Sequence, residues 1–421
     1  MKLTERDKKH LWHPLTQHKH HPGALGIVKA EGVYLYDGHG NRYIDGIASW
    51  YVCMYGHCHP YIVKKVTEQM KRLDQVVFAG FTHQPAVELS EALVAILPGN
   101  QQKLFFSENG STAVEVAVKM ALQYYFNKGE KRNVLVAFED GFHGDTFGAM
   151  SVSGLSVYNG PFSDFFLEVV RIPVPNGENN DEVLKALERI LAREKVAAFI
   201  YEPLVQGAAA MKMHSASGLD RLLGCCKAHG VLTIADEVMT GFGKTGKYFA
   251  SEYMQHLPDM MCMSKALTAG LLPMAVTSCT QAIFDAFYDD DITKGFFHGH
   301  TYTANPPACA AALAGLELLQ SEAVKNNIAS ITGWHRDFDK EIKKHPKVAK
   351  TRQLGIIYAL DLKTETERYG KLRNRLFDHF MKNGVFLRPL GHTVYIQAPY
   401  VITEQQMKKI YAAIEGVLDV L

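Results

Sequence analysis

Residues 231–237 read Val-Leu-Thr-Ile-Ala-Asp-Glu, a compact apolar run that ends in two acidic residues. Short apolar runs of this kind are typical of strands that are buried on both faces of a parallel sheet. Residues 134–138 and 196–201 have the same character, and the apolar spacing over 219–229 predicts a helix between the strands at 196–201 and 231–235. This alternation of strands and helices predicts an α/β fold with a mostly parallel sheet.

The same alternation extends in both directions from this stretch and divides the chain into three segments. Residues 60–320 are predicted to form a large α/β domain, and residues 321–421 a smaller α+β domain. The last helix of the small domain is predicted to begin at a capping box in residues 403–406. The N-terminal segment, residues 1–59, contains a predicted hairpin whose turn spans residues 37–41.

Composition excludes several classes of partner. The chain has 421 residues and a formal net charge of +1, which gives no electrostatic basis for binding nucleic acid or an anionic membrane. No uninterrupted apolar run reaches the roughly 18 residues that a membrane-spanning helix requires. The charged start of the chain argues against a secretory signal. The seven cysteines contain no C-x-x-C pair, so a reducing, cytoplasmic location is expected.

Candidate catalytic residues follow two of the predicted strands. Asp236 ends the apolar run, and Lys265 follows the short apolar segment 260–263. The carboxyl ends of parallel strands are where open α/β sheets bind ligands. Either residue alone could be an ordinary surface charge. Together they suggest a lysine that forms a Schiff base with an aldehyde cofactor and a carboxylate that keeps the pyridine nitrogen of that cofactor protonated.

A candidate phosphate site precedes the helix that is predicted over residues 111–126. The segment 107–112 reads Ser-Glu-Asn-Gly-Ser-Thr and joins a predicted strand to this helix. Gly110 permits close approach of the backbone, and the first N–H groups of a helix attract anions. The segment is equally consistent with a plain helix cap by Ser111 or Thr112, and the motif alone leaves both interpretations open.

Two other site classes are rejected. Residues 243–245 read Gly-Lys-Thr, but a P-loop needs glycine five positions before Gly243, where this chain has Val238. The histidines cluster at residues 18–21 and 57–59, and their spacing matches no structural zinc class. We therefore expect neither a nucleoside triphosphate site nor a protein-bound metal.

A longer pattern connects the candidate residues. Residues 233–238 read Thr-Ile-Ala-Asp-Glu-Val, residues 240–243 read Thr-Gly-Phe-Gly, and the run 259–267 contains Lys265. Together they resemble the signature of the class III pyridoxal-phosphate aminotransferases. The resemblance covers nearly the whole chain in order, with further matching segments at residues 109–115, 142–144, 202–203, 206–207, 301 and 305–306.

Within this class the chain most resembles the biotin-pathway branch, which makes 7,8-diaminononanoate from 8-amino-7-oxononanoate. The narrower match rests on residues 12–14, 49–51, 143–146 and 387–391. It implies an aminotransferase whose substrates are a small amine and a keto acid. The amino donor implied is S-adenosylmethionine, with lysine possible. The alternative is a class III aminotransferase for another ω-amine or ω-amino acid.

The resemblance also implies a role for each matching residue. Lys265 would carry pyridoxal phosphate, and Asp236 would pair with its ring nitrogen. The other implied cofactor contacts are Gly110 and Ser111 at the phosphate, Phe142 and Val238 on the ring faces, His143, Gln206 near the phenolic oxygen, and Thr301 from a neighbouring subunit. The implied substrate contacts are Trp50, Tyr51, Asp145 and Arg388, whose guanidinium suits bidentate binding of a carboxylate.

The resemblance implies the aspartate-aminotransferase type of fold, fold type I. In that fold the N-terminal segment joins the C-terminal small domain, and a homodimer shares its active sites. The chain departs from the biotin-pathway pattern at three positions, with Phe142 and Leu15 in place of tyrosines and Lys244 in place of an arginine. Two hydroxyl groups are thereby lost on the substrate side. Because lost polar contacts can change discrimination strongly, these differences bear on the amino donor.

Overall fold

The computed structural model describes residues 3–20, 23–156, 159–364 and 370–420 of the chain. The sixteen strands found in these residues are numbered in chain order. They are β1 Ile27–Glu31, β2 Tyr34–Asp37, β3 Arg42–Asp45, β4 Gln101–Ser107, β5 Val134–Phe138, β6 Val169–Ile172, β7 Val196–Tyr201, β8 Val205–Gln206, β9 Lys212–Met213, β10 Leu232–Asp236, β11 Met260–Met263, β12 Ala275–Thr280, β13 Val348–Leu354, β14 Ile357–Leu362, β15 Val385–Phe386 and β16 Thr393–Ile396.

Helices cover both faces of the larger sheet and the outside of the smaller ones. The right-handed α-helices are Leu3–His10, Pro60–Met70, Gln84–Ile96, Gly110–Asn127, Phe147–Val152, Asn180–Arg193, Ala216–Ala228, Gln281–Asp285, Pro306–Gln320, Glu322–Ile342, Lys371–Lys382 and Glu404–Val420. Short 3-10 turns occur at His18–His20, Gly160–Phe165, Ala250–Tyr253, Lys265–Thr268 and Ile292–Lys294. Among the described helices, none combines the length and the apolar character that crossing a bilayer requires.

The central sheet has seven strands in the order β4-β12-β11-β10-β7-β5-β6. All neighbours pair in parallel except β12, which runs antiparallel to both β11 and β4. Every residue of β5, β7, β10 and β11 is buried, as the unbroken apolar runs predicted. The predicted α/β fold with a mostly parallel sheet is therefore confirmed.

The N-terminal segment pairs with the C-terminal part of the chain. The predicted hairpin is formed by β2 and β3, and β15 adds to β3 in parallel with Ile44 opposite Val385. A second small sheet has the order β13-β14-β16. These pairings agree with a small domain built from both ends of the chain, and the division at residues 59 and 320 stays a prediction.

The sequence pattern missed two elements after residue 320. One is the helix Glu322–Ile342, whose first turn is capped by the Ser321 hydroxyl, which accepts the N–H of Val324. The other is the strand β13. Two residues of the edge strand β13 are exposed and four are only partly buried. An edge strand with an exposed face does not need the apolar run by which the central strands were recognised.

Candidate active site

The carboxyl edge of the central sheet collects the predicted site residues. In the parallel pairing of β10 with β11, Asp236 lies opposite Cys262, so Lys265 follows three residues beyond that point. Ala235 lies opposite Tyr201 of β7, which places Glu202 next to Asp236 at the same edge. Strands β4 and β5 point in the same direction, so the segments that follow them reach this edge too. The topology therefore brings five chain segments to one place.

Asp236 is held by two contacts. One carboxylate oxygen, Oδ2, lies 2.7 Å from Nδ1 of His143, and the other accepts the backbone N–H of Val238 at 3.1 Å. Both side chains are buried. The second ring nitrogen of His143, Nε2, has no hydrogen-bond partner within the described part of the chain. Asp236 is thus fixed in orientation by a histidine that is 93 positions away in the sequence.

Glu237 has a different role from its neighbour. Its fully buried carboxylate accepts hydrogen bonds from the hydroxyls of Thr240 and Ser251 and from the backbone N–H groups of Ala250 and Ser251. These contacts join the turn after β10 to the 3-10 helix Ala250–Tyr253. Of the two acids that end the apolar run, only Asp236 faces the site, and Glu237 stabilises the fold.

Lys265 begins the short 3-10 helix that follows β11 and has a left-handed φ of 51°. Its Nζ lies 5.4 Å from the centre of the Tyr51 ring. Burial lowers the pKa of Lys265, and the negative charges of Asp236 and Glu202 oppose this effect. A lowered pKa enlarges the fraction of neutral amine, which is the form that attacks a carbonyl carbon.

Glu202 follows β7 and contacts two other segments of the site. Its carboxylate accepts the backbone N–H groups of Phe142 at 3.2 Å and Gly207 at 3.1 Å. Burial raises the pKa of Glu202 to about 7, and the negative charge of Asp236 acts in the same direction against the opposing effect of His143. Glu202 therefore positions the segments that carry Phe142 and Gln206.

The candidate phosphate site lies at the start of the helix Gly110–Asn127. Asn109 is the N-cap, and its side chain accepts the N–H of Thr112 in a capping box. The predicted alternative, a plain cap by Ser111 or Thr112, is therefore wrong, because Asn109 occupies that position. The Ser111 hydroxyl instead accepts the backbone N–H of Asp145 at 3.3 Å. The N–H groups of the first helical turn have no partner in the helix itself and can bind an anion.

Glycines keep this region open. A Cβ on Gly110 would lie 2.8 Å from Cγ1 of Val238. A Cβ on Gly144, whose φ is 138°, would collide with the Ser111 hydroxyl. Only glycine at both positions permits this close approach of the chain segments at 110–111 and 143–145.

Phe142 and Gln206 complete this side of the site. The Phe142 ring is 43% exposed. Gln206 is fully buried, and its Nε2 donates to the carbonyl of Glu139 at 2.8 Å. Its Oε1 has no hydrogen-bond partner among the residues that the structure describes. A buried amide oxygen without a donor is costly, so a ligand that offers a proton at this point is expected.

Two aromatic residues and an arginine that were predicted to contact the substrate lie close together. The guanidinium carbon of Arg388 lies 4.5 Å from the centre of the Trp50 ring. Tyr51 is buried, and its hydroxyl donates to the hydroxyl of Tyr395 at 2.9 Å. Burial raises the pKa of the Tyr51 hydroxyl, and its contact with Tyr395 adds to this effect, so the hydroxyl stays protonated. Tyr395 was not predicted from the sequence, because nothing distinguishes it from the neighbouring residues of β16.

Two predicted site residues lie apart from these contacts. Asp145 is exposed and is connected to the site through its backbone N–H. Thr301 is exposed, and its carbonyl accepts Nε2 of Gln75 at 2.9 Å. Within the single described chain, no hydrogen bond joins Thr301 to Gly110 or Ser111.

Over residues 3–20, 23–156, 159–364 and 370–420 no three His, Cys, Asp or Glu side chains are arranged to hold an ion. His21, which belongs to one of the histidine clusters, lies outside these residues.

Lys244 is a second buried lysine near the site. Its side chain is fully buried, and Nζ donates to the carbonyl of Gly241 at 3.0 Å. Burial lowers its pKa from 10.5 to about 7, and the charge of Lys265 acts in the same direction against the opposing effect of Glu237. Because the folded pKa is depressed, folding is penalised increasingly as the pH falls from 10.5 towards 7.

Replacing Lys244 with methionine is expected to stabilise the protein more at pH 7 than at pH 9, by on the order of 2 kcal/mol in the free energy of unfolding. Denaturant unfolding at the two pH values measures the difference. Lys247→Met, on the exposed part of the same loop, is the control. An equal effect of Lys244→Met at both pH values would contradict the prediction.

Comparison with known sequences gives one family. The sequence pattern of the family described as Aminotransferase class-III matches residues 15–418. The adenosylmethionine-8-amino-7-oxononanoate aminotransferase of Synechococcus elongatus is 43% identical over 97% of this chain and 98% of its own length. The enzyme of the same name from Helicobacter pylori is 34% identical over 100% of this chain and 98% of its own length.

Solved structures agree with this result. The adenosylmethionine-8-amino-7-oxononanoate aminotransferase of Methanocaldococcus jannaschii superimposes with a TM-score of 0.93 at 32% identity, covering 98% of both chains. A PLP-bound amine transaminase from an uncultivated Pseudomonas species gives a TM-score of 0.91 at 29% identity, covering 97% of this chain and 98% of its own. The predicted fold of the pyridoxal-phosphate-dependent transferases is thereby confirmed.

Proposed function

The chain belongs to the class III aminotransferase family, and from this premise we propose that it converts 8-amino-7-oxononanoate to 7,8-diaminononanoate in biotin biosynthesis, with S-adenosylmethionine as the amino donor. The protein is a transaminase that uses pyridoxal phosphate. Near-full-length relatives at 32% to 43% identity share the name of an enzyme for this keto substrate, which supports the substrate proposed.

The residues of the site fit pyridoxal phosphate. A buried carboxylate, Asp236, matches a protonated ring nitrogen, and the unpaired Oε1 of Gln206 matches a hydroxyl proton on the ring. The first turn of the helix at Gly110 and Ser111 offers N–H groups for a phosphate. When bound, the cofactor supplies an aldehyde that reacts with amines and a ring that withdraws electrons from the reacting carbon.

Each residue of the site is assigned one part of the reaction. We assign Lys265 to the covalent link and to moving a proton to and from the reacting carbon, because its lowered pKa suits both tasks. Asp236, oriented by His143, would hold a proton on the ring nitrogen. Phe142 and Val238 are assigned to the two faces of the ring. Alternation between amine and keto substrates predicts ping-pong kinetics.

The contacts of Trp50 and Tyr51 support a keto acid as the substrate. Arg388 lies against Trp50, and Lys265 lies against Tyr51, the next residue in the chain. A substrate that presents its carboxylate to Arg388 and its carbonyl to Lys265 would therefore pass along these two aromatic rings. A keto acid with a long aliphatic chain meets this requirement, because the ends of the pocket are charged and its wall is aromatic.

A homodimer with shared active sites is part of the proposal. Thr301 is exposed and away from the other site residues, as expected for a residue that completes the phosphate site of a partner. Large exposed apolar side chains flank this loop at Phe297 and Tyr302, and such patches indicate interfaces. Sedimentation should give twice the chain mass of 47.0 kDa.

All seven cysteines are free thiols, which supports placement in the cytoplasm.

The test is a single half-reaction. The purified cofactor form is mixed with 7,8-diaminononanoate in the absence of any keto acceptor, and the coenzyme absorbance is followed. Conversion to the pyridoxamine form is expected, because transamination is reversible and this diamine is the proposed product. S-adenosylmethionine and lysine are then compared as donors in separate half-reactions.

The runner-up is an aminotransferase for another ω-amine or ω-amino acid. The replacement of two family tyrosines by Phe142 and Leu15 favours it, and so does the likeness to solved amine transaminases. If 7,8-diaminononanoate leaves the spectrum unchanged while simple ω-amines convert the cofactor, the biotin assignment is wrong and this alternative replaces it.

A further inference from the structure

The segment that carries Trp50 and Tyr51 has an unusual backbone. Ala48, Ser49, Trp50 and Tyr51 have φ angles of 46°, 47°, 71° and 72°, so four consecutive residues with side chains adopt the left-handed conformation. For residues other than glycine each such conformation is strained. Strained runs persist only where the surroundings impose them, and they concentrate at functional sites.

Asp45 contacts this segment directly. It is fully buried, and its Oδ2 accepts the hydroxyl of Ser49 at 2.8 Å within the strained segment itself. The same oxygen lies 2.9 Å from Nε2 of His57, and Oδ1 accepts the backbone N–H of Ile47 at 3.3 Å. Asp45 thus contacts Ile47 before the segment, Ser49 within it and His57 after it.

The partner His57 is itself fixed. Its backbone N–H donates to the carbonyl of Gly32 at 2.7 Å, and its carbonyl accepts the N–H of Gly32 at 3.1 Å. Burial disfavours the charged imidazole, but the hydrogen bonds to Asp45 and Cys53 outweigh this and raise the pKa of His57 to about 10. The pair is therefore anchored to the turn between β1 and β2.

The opposite side of the segment packs against the loop that follows Lys265. A Cβ on Gly270 would lie 2.9 Å from Sγ of Cys53 and 3.0 Å from the backbone of Val52. On the other flank, the N–H of Gly46 donates to the carbonyl of Phe386, two residues before Arg388. The chain on the two sides of the segment therefore contacts the loop after Lys265 and the strand before Arg388. These two residues are the charged ends of the proposed substrate pocket.

We propose that Asp45 and His57 are positioning residues that hold residues 48–51 in the left-handed conformation and so set the places of Trp50 and Tyr51 between Lys265 and Arg388. Neither residue touches the cofactor site, and both act through the aromatic wall. The inference rests on the proposed function for the substrate used in its test. The position of Trp50 can also be measured without any substrate.

The experiment uses Asp45→Asn, which keeps the size of the side chain but removes the charge that pairs with His57. Each variant is also made with Trp12→Phe and Trp334→Phe, so that Trp50 is the only tryptophan. The readouts are acrylamide quenching of Trp50 fluorescence, affinity for pyridoxal phosphate, and kcat and KM of the half-reaction with 7,8-diaminononanoate. The matched control is Asp37→Asn, because Asp37 is a buried carboxylate in the same small sheet that serves a turn.

Asp45→Asn is expected to increase the quenching of Trp50 and to lower kcat/KM by about 10²-fold, the size of effect produced by misplacing a reacting group by roughly 1 Å. Affinity for pyridoxal phosphate should stay unchanged. Adding Ala48→Gly should restore about threefold of the lost kcat/KM, because glycine adopts the left-handed conformation without strain. The control Asp37→Asn should leave quenching and kcat/KM unchanged.

Unchanged quenching and kcat/KM in Asp45→Asn would overturn the inference, and so would an equal loss in Asp37→Asn. If Asp45→Asn does not fold, Ser49→Ala and His57→Gln each remove one contact of the carboxylate and must show the same changes to a smaller degree. If the unmodified enzyme does not react with 7,8-diaminononanoate, the proposed function fails, and the quenching of Trp50 still decides the role of Asp45.

Discussion

Replacing Lys265 with alanine is expected to lower kcat by at least about 10⁴-fold, because the variant loses both the covalent attachment point and the general acid-base group. The position of Lys265 supports this size of effect. Lys265 begins the 3-10 helix two residues beyond the carboxyl end of β11, and Asp236 lies at the same edge of the sheet. Single-turnover mixing with the amine substrate measures the loss.

Two further measurements distinguish a chemical role of Lys265 from a structural one. Borohydride reduction should fix the cofactor to the unmodified chain and leave it removable from Lys265→Ala. An added small amine should restore part of the activity, because it can carry protons in place of the side chain. Lys244→Met serves as the control for loss of a buried lysine and should keep its turnover. Wild-type turnover in Lys265→Ala would exclude the assignment.

Replacing Asp236 with asparagine is expected to lower kcat by about 10³-fold, the upper range for removing one preorganised electrostatic group. Asparagine keeps the size of the side chain and can still bond to the N–H of Val238. It cannot hold a proton on the pyridine nitrogen, so the ring would withdraw electrons less strongly. Stopped-flow absorbance should show the cofactor bound and its conversion slowed.

The adjacent acid provides the matched control for Asp236. Glu237→Gln also removes a buried carboxylate, but that group bonds to Thr240, Ala250 and Ser251 and not to the site. We expect a lower melting temperature and a half-reaction rate within a few-fold of the unmodified enzyme. Equal kinetic losses in the two variants would show that the Asp236 effect arises from disturbed folding.

The sequence predicted the central sheet well because its signal is local. Strands β5, β7, β10 and β11 are buried on both faces, so each must be an unbroken apolar run, and each was found. Strands β6 and β12 of the same sheet were not predicted, and the antiparallel direction of β12 leaves no local pattern because it depends on pairing. Strand β13 was missed because its exposed and partly buried residues do not form an apolar run.

Much of the candidate site was also predictable, though its internal contacts were not. Lys265 and Asp236 were identified by their places at the ends of predicted strands, Gly110 and Ser111 by their place at the start of a predicted helix, and the other residues by resemblance. The contact between His143 and Asp236 joins positions 93 apart, and that between Tyr51 and Tyr395 joins positions 344 apart. Such contacts depend on how the segments pack, and no spacing along the chain encodes them.

The sequence by itself determined the fold class and marked Lys265 and the acidic end of the run 231–237 as candidates, because strand burial and strand-end chemistry leave short-range patterns. Only the tertiary structure decided that Asp236 and not Glu237 faces the site, and that Asn109 rather than Ser111 caps the phosphate helix. It also revealed the left-handed run at residues 48–51, which nothing in the local residues favours. That conformation exists because Asp45 and His57, brought together by folding, outweigh the local preference of the backbone.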